Sequence, residues 1–238
     1  SNFTPSTDRL TAITDTQLLA CHLPYMQEGS THGHTITMNG NVAVVPAGPH
    51  DKQEYSASSH LGSLHSDGSG DYLAVDASSD FDLGTSDFTI EGWVYPTSYG
   101  SGNFLLGQNY FSSVLQINSG KLQFYSSPAS AYILTAATDI PLNAWTHWAL
   151  VRNGNAWTIY LNGKSDATAT NAADAGFDGT NPLHIMRWNN NNGTIAGNVA
   201  DFRFVKGTAV YTSNFTPPTA PLTAVTDTKL LVQSTDAG

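Results

Sequence analysis

Apolar and polar residues alternate with a period of two along most of this chain, and turn residues punctuate the alternation. In Phe88–Tyr95, Phe88, Ile90 and Val94 share one face, while Thr89, Glu91, Trp93 and Tyr95 share the other; Pro96 ends the run. Val114–Ile117 and Lys121–Tyr125 flank Asn118-Ser119-Gly120, which predicts a hairpin. Thr146–Val151 and Ala156–Leu161 flank Asn153-Gly154, and Asn162-Gly163 then turns the chain again. Further strands are predicted at His34–Met38, Asp71–Asp76, Tyr132–Ala136, Leu183–Trp188 and Thr194–Val205; Asn189–Asn192 separates the last two. One helical turn fits near Asp80–Leu83, and no sustained helical periodicity is present. Short strands joined by tight turns make a two-sheet antiparallel sandwich, with Phe88–Tyr95, Thr146–Val151 and Ala156–Leu161 central. Trp145, Trp148 and Trp157 are expected to be buried there.

A repeat frames this pattern. Ser1–Leu19 returns as Ser213–Leu231, with fourteen of nineteen positions identical at an offset of 212 residues. A period of that size is a whole domain, so the chain reads as about one period of a tandem array. The expected boundaries are a linker at 1–14, one sandwich at 15–210, and at 211–238 a second linker with the opening strand of a following repeat. Pro5, Pro217, Pro218 and Pro221 favour extended backbone in the linkers. Phe3 and Phe215 are large apolar groups in runs of Thr, Ser and Pro, and each is expected to pack against the body of a bead.

Composition narrows the partners. The net charge is −10 and charged residues make up 12% of the chain. Nucleic acid needs a basic face for counterion release, so it is not a fitting partner. Anionic membrane is no better matched, and no apolar run is long enough to insert. The single cysteine, Cys21, cannot form a disulfide within the chain.

The runs SDGSGDYLAVD, FTIEGWVYP, NAWTHWALVRNGNAWTIYLNGK and GNVADFRFVKGTAVYT resemble the laminin-G-like, concanavalin A-like jelly-roll domains. The nearest flavour is that of repeats in marine bacteriophage structural proteins, where a segment of the type TKLL…HTITVNGNV opens each repeat. Here Thr16–Leu19 and His34–Val42 match it. The resemblance implies an all-β jelly roll on an extracellular or virion surface. It hosts lectins, glycosidases, adhesion modules and plain spacers alike.

Four chemistries bear on the function of such a chain. Glycosidases need a carboxylate pair at a set separation. The three glutamates, Glu28, Glu54 and Glu91, form no such motif, so the chain reads as a non-enzyme. For carbohydrate, a flat aromatic beside amides is the signature. The candidates are Trp188 with Asn189, Asn190, Asn191 and Asn192, and the loop carrying Tyr99, Asn103 and Tyr110. For Ca²⁺, Asp67, Gly68 and Asp71 form an oxygen-rich turn, and the resemblance implies a carboxylate at Asp201. His22, His32, His34 and His50 match no zinc spacing, and His147 reads as a core hydrogen-bonding residue. The expected role is a non-catalytic module that binds glycans and adjoins neighbouring repeats. The alternatives are a purely structural fibre or capsid repeat and, more remotely, a glycoside hydrolase.

Overall fold

The computed structural model describes residues 63–99, 103–108, 113–189 and 192–233, all within the unit Ala57–Gly238. The predicted strand at His34–Met38, the linker at 1–14 with Phe3, and Cys21 lie outside the described residues.

Two antiparallel sheets stack over one core. The strands of the first are β1 (Leu64–Asp67), β3 (Phe88–Pro96), β8 (Thr146–Asn153), β9 (Ala156–Leu161), β10 (Lys164–Thr170), β14 (Ala196–Lys206) and β15 (Thr228–Val232). They run in the order β1-β14-β3-β8-β9-β10, with β15 also paired to β14. The second sheet contains β2 (Leu73–Val75), β4 (Asn103–Gly107), β5 (Val114–Asn118), β6 (Lys121–Ser126), β7 (Ala131–Asp139) and β11 (Leu183–Ile185), ordered β2-β11-β4-β5-β6-β7. A two-stranded ribbon, β12 (Arg187–Asn189) and β13 (Asn192–Thr194), completes the set. The expected helical turn is a single 3₁₀ turn at Ser79–Phe81, capped by Ser78 Oγ accepting from Asp80 N.

The alternation delivers the core. Phe88, Ile90 and Val94 of β3, Trp148 and Leu150 of β8, and Trp157 and Ile159 of β9 face Leu115 and Ile117 of β5 and Leu122 and Phe124 of β6. Trp157 stacks on Phe124, meets Phe88 edge-on, and donates Nε1–H to Asn171 O at 2.9 Å. An indole can be buried this deeply because its single donor is satisfied. Trp145 corrects the expectation. It precedes β8 with the parity of outward-facing His147, so it leans on Tyr95 outside the core and remains 38% exposed.

The segment between β14 and β15 is a strap across the outer face of the seven-stranded sheet. Thr89 Oγ1 anchors its start, donating to Thr208 O and accepting from Val210 N. Its middle reaches the β9–β10 turn, where Phe215 N donates to Gly163 O at 2.8 Å and Ser165 N to Asn214 Oδ1 at 2.8 Å. Gly163 has a φ of +73°, and a Cβ there would stand 2.0 Å from Phe215 O. The chain then returns, and β15 pairs Val232 with Phe202 and Leu230 with Phe204. Thr228–Val232, expected to open a following repeat, is thus an edge strand of this sandwich.

Candidate functional site

Parity also sets the outer face of the six-stranded sheet. Leu115, Ile117, Leu122 and Phe124 point inward, so Gln116, Gln123 and Tyr125 point outward. Phe104, Gln116, Gln123 and Thr135 are successive cross-strand neighbours over β4 to β7. Gln116 Nε2 donates to Gln123 Oε1 at 3.2 Å and to Tyr132 Oη at 2.8 Å. Tyr132 is 51% exposed and meets Tyr125 edge-on.

The same band continues toward the opposite edge. Between β11 and β12, Met186 takes a left-handed φ of 70°, an uncommon state for a bulky residue. Its N–H still reaches Leu105 O at 2.9 Å, but the chain leaves the sheet and pairs only within the β12–β13 ribbon. That lifts Trp188 over β4. Its ring centroid lies 5.4 Å from that of Phe104, and a Cβ on Gly107 would come within 2.8 Å of Trp188 Cα. Glycine is therefore required under the ribbon. Beyond it, His184 Nδ1 stands 3.3 Å from Trp188 O, Tyr72 meets His184 edge-on, and the Arg187 guanidinium lies 4.3 Å over the Tyr72 ring. Aromatic rings and amides thus form one band from Tyr72 through Trp188 and Phe104 to Gln116 and Tyr132.

Of the residues expected for carbohydrate, Trp188 lies in this band. Asn189 and Asn192 pair through their backbones in the ribbon. Asn190, Asn191 and Tyr110 lie outside the described residues. Tyr99 and Asn103 serve the loop instead: Tyr99 Oη donates to Ile140 O, and Asn103 Nδ2 donates to Ser98 O at 3.0 Å. Sequence reasoning missed Tyr72, His184, Arg187, Gln116, Gln123 and Tyr132. The outward parity of Gln116 and Gln123 was a readable signal for two of them.

The residues named for calcium are not brought together. Asp67 pairs with Ala196 at one end of β14, while Asp201 lies five residues along the same strand, roughly 15 Å away at ~3.3 Å per residue. Calcium ligands must all lie within ~2.6 Å of the ion, so the two segments cannot share one. Asp67 Oδ1 accepts from Ser69 N and Asp71 Oδ2 from Asp67 N, closing a tight turn around Gly68. Asp201 occupies a bulge in β14 with a φ of 56°. Its Oδ2 accepts from Leu222 N at 2.7 Å and its Oδ1 from Gln233 Nε2 at 2.8 Å. Its carboxylate holds the strap.

Beneath the strap lies a buried polar cluster. Glu91 is wholly buried; Oε1 accepts from Arg203 Nε at 2.8 Å and from Arg203 Nη2, and Oε2 accepts from Tyr211 Oη at 2.8 Å. His147 Nε2 stands 3.2 Å from Oε2, at ion-pairing distance but without hydrogen-bond alignment. Burial by itself pushes the Glu91 carboxyl up; His147, the Arg203 charge and the Tyr211 hydroxyl outweigh it and hold it below the usual carboxylate range. Burial, followed by the Glu91 charge, raises the Tyr211 phenol well above its ordinary value. His147 is therefore a partner of Glu91 on the outer face and not a residue of the inter-sheet core.

Residues 67–210, more than half of the chain, match the laminin G family described as the concanavalin A-like lectin/glucanases superfamily. The chain belongs to that family. Among solved structures, this laminin-G-type sandwich is similar to a protein of Bacteroides ovatus provisionally named for carbohydrate binding, with a TM-score of 0.59 and 18% identity. The match covers 72% of this chain and 51% of that one, so the chain spans about half the length of that relative. A likeness at this identity concerns the fold. Weaker likenesses are to domain 4 of an extracellular arabinanase from Geobacillus stearothermophilus (TM-score 0.47, 17% identity, 63% and 77% covered) and to the mouse laminin alpha1 chain, domains LG4-5 (0.48, 17%, 66% and 45%). A search of curated proteins finds no match. Among the described residues, no helix is long and apolar enough to cross a membrane.

Proposed function

We propose that the chain is a non-catalytic carbohydrate-binding module that adheres to glycans through the outer face of its six-stranded sheet. The observation that carries this is the band from Tyr72 through Trp188 to Tyr132. Sugars present apolar ring faces and hydroxyl edges, and the band offers both complements: aromatic surface at Tyr72, Trp188 and Tyr132, and the half-buried amide of Gln123, braced by buried Gln116. The Bacteroides ovatus structure, provisionally named for carbohydrate binding, supports the reading at the level of fold.

A hydrolytic role is disfavoured by the position of Glu91. Its carboxylate is sealed beneath Tyr211 and already accepts from Arg203 and Tyr211, so it meets no substrate. The setting that suits such a module is a repeated element of an extracellular or virion-surface fibre. Weak single sites gain there, because linked copies engage one surface together.

A glycan array probed with the single chain tests the proposal. Binding to a defined glycan class, lost in Trp188→Ala and Tyr132→Ala with the fold retained, is the expected result. Binding unaffected by both substitutions would move the site elsewhere. No binding to any glycan at millimolar concentration would overturn the proposal and leave the structural-repeat alternative.

A further inference from the structure

We infer that Ser1–Cys21 is a second docking strap, and that its seat is the β14 edge and the outer seven-stranded face of another copy of this sandwich. One such strap is already in place. Ser213–Gln233 is held by Asn214 on Ser165, Phe215 on Tyr160 and Tyr211, Leu222 on Asp201, Asp227 on Thr208, and β15 on β14. Each of those strap residues recurs 212 positions earlier: Asn2, Phe3, Leu10 and Asp15, then Thr16, Leu18 and Leu19 for the strand residues Thr228, Leu230 and Leu231.

Seven of these twenty-one positions differ, and the five that lie within residues 1–19 fall elsewhere. They are Ser6 for Pro218, Asp8 for Ala220, Arg9 for Pro221, Ile13 for Val225 and Gln17 for Lys229. Ala220, Val225 and Lys229 are exposed in the docked strap. None of the five side chains makes a hydrogen bond or ring contact among the described residues. Within residues 1–19 the docking contacts are thus retained, and the changes fall on exposed or half-buried positions. The other two do touch contacts: Cys21 stands where Gln233 bonds Asp201, so that hydrogen bond has no counterpart, and the smaller Ala20 stands where Val232 pairs with Phe202 and packs against the core.

The occupant must sit on a second copy because the slot takes one strand. β3 lines one edge of β14; on the other edge, β1 pairs with positions 196–199 and β15 with 202–205. In each molecule the slot is filled by its own strap, present at an effective concentration on the order of millimolar. The first strap therefore matches the same slot on another sandwich whose own strap has left it. The resulting contact is head-to-tail: strand addition at a vacated β14 edge, reinforced by a Phe in an aromatic seat. Every junction in an array would then close one bead and lead into the next, fixing their spacing.

The full-length chain tests this. Leu222→Asp places a carboxylate against Asp201 and unseats the resident strap. Sedimentation velocity should show a monomeric wild type, a Leu222→Asp variant that associates as concentration rises, and a Leu10→Asp/Leu222→Asp double variant that is monomeric again. Leu222→Asp that is folded by near-ultraviolet dichroism yet monomeric would overturn the inference, as would association that ignores Leu10→Asp. Should Leu222→Asp fail to fold, Leu222→Ala is read in the same way. A labelled peptide of residues 1–21 should bind the opened variant, and its Leu10→Asp form should bind at least tenfold more weakly. Equal binding of the two peptides would also overturn it.

Discussion

Tyr211 and Phe215 stack face to face, with ring centroids 3.6 Å apart and planes 6° from parallel. Both rings also meet Tyr160 of β9, and Phe215 meets His147 of β8 edge-on. Two aromatics of the strap are thereby fixed over the middle of the seven-stranded sheet. Behind them, the Tyr211 hydroxyl closes the Glu91 cluster. The pair joins an apolar seat to a buried ionic one.

Phe215→Ser should loosen the strap without unfolding the sandwich. The ring is partly buried, so the loss should fall near or below the ~1.5–3 kcal/mol of full side-chain burial. Urea denaturation measures the global loss. Hydrogen exchange should show faster opening of residues 207–232 than of β8 and β9. Uniform opening of all these segments would contradict a separable strap.

Glu91→Gln removes the acceptor charge of a buried pair and leaves Arg203 uncompensated, which should cost about 3 kcal/mol or more at neutral pH. The wild-type carboxyl titrates below its unfolded value of ~4.3. Its stabilisation is therefore complete above that pH and fades as pH falls through the lower folded value. Melting between about pH 5 and pH 3 should fall more steeply for wild type than for Glu91→Gln. Parallel curves would show that another group governs the acid limb.

Asp201→Ala should destabilise by about 1–3 kcal/mol, the cost of leaving the buried Leu222 N–H without its acceptor. Because Asp201 holds Leu222 and Gln233, the loss should be the same with excess EDTA and with added calcium. A difference between those two conditions in wild type that vanishes in Asp201→Ala would restore a metal role.

Gly107→Ala should act on the ribbon. Its Cβ would meet the Trp188 backbone at 2.8–2.9 Å, a contact that only movement of β12 relieves. Glycan binding should drop at least as far as in Trp188→Ala, while Trp148 and Trp157 stay shielded from acrylamide. Full binding by Gly107→Ala would show that the seat of Trp188 is irrelevant to the ligand.

The strands and their inward faces were legible because parity is local. Each of Phe88, Ile90, Leu115, Phe124, Trp148 and Trp157 faces inward as its neighbours dictate, and Asn153-Gly154 and Asn162-Gly163 fix the hairpins that align them. The repeat was legible by inspection, as was a docking role for Phe215. What parity leaves open is which outward residues another segment covers. Trp145 and His147 share a parity, yet His147 is sealed and Trp145 is exposed, because the strap reaches one and not the other. Glu91 belonged to no carboxylate motif and shared a face with Trp93; Tyr211, 120 residues away, and Arg203, 112 away, make it a buried hub. Asp201 looked like a metal ligand, but a bulge in β14 aims it at Leu222. Trp188 reached its place over Gly107 through one left-handed residue, Met186, which no alternation encodes. The sequence by itself determined the sandwich and the direction of side chains within its regular strands, since steric period and turn chemistry act between near neighbours. The tertiary structure decided which face stays open, because that depends on where a strap returns after crossing the whole sheet.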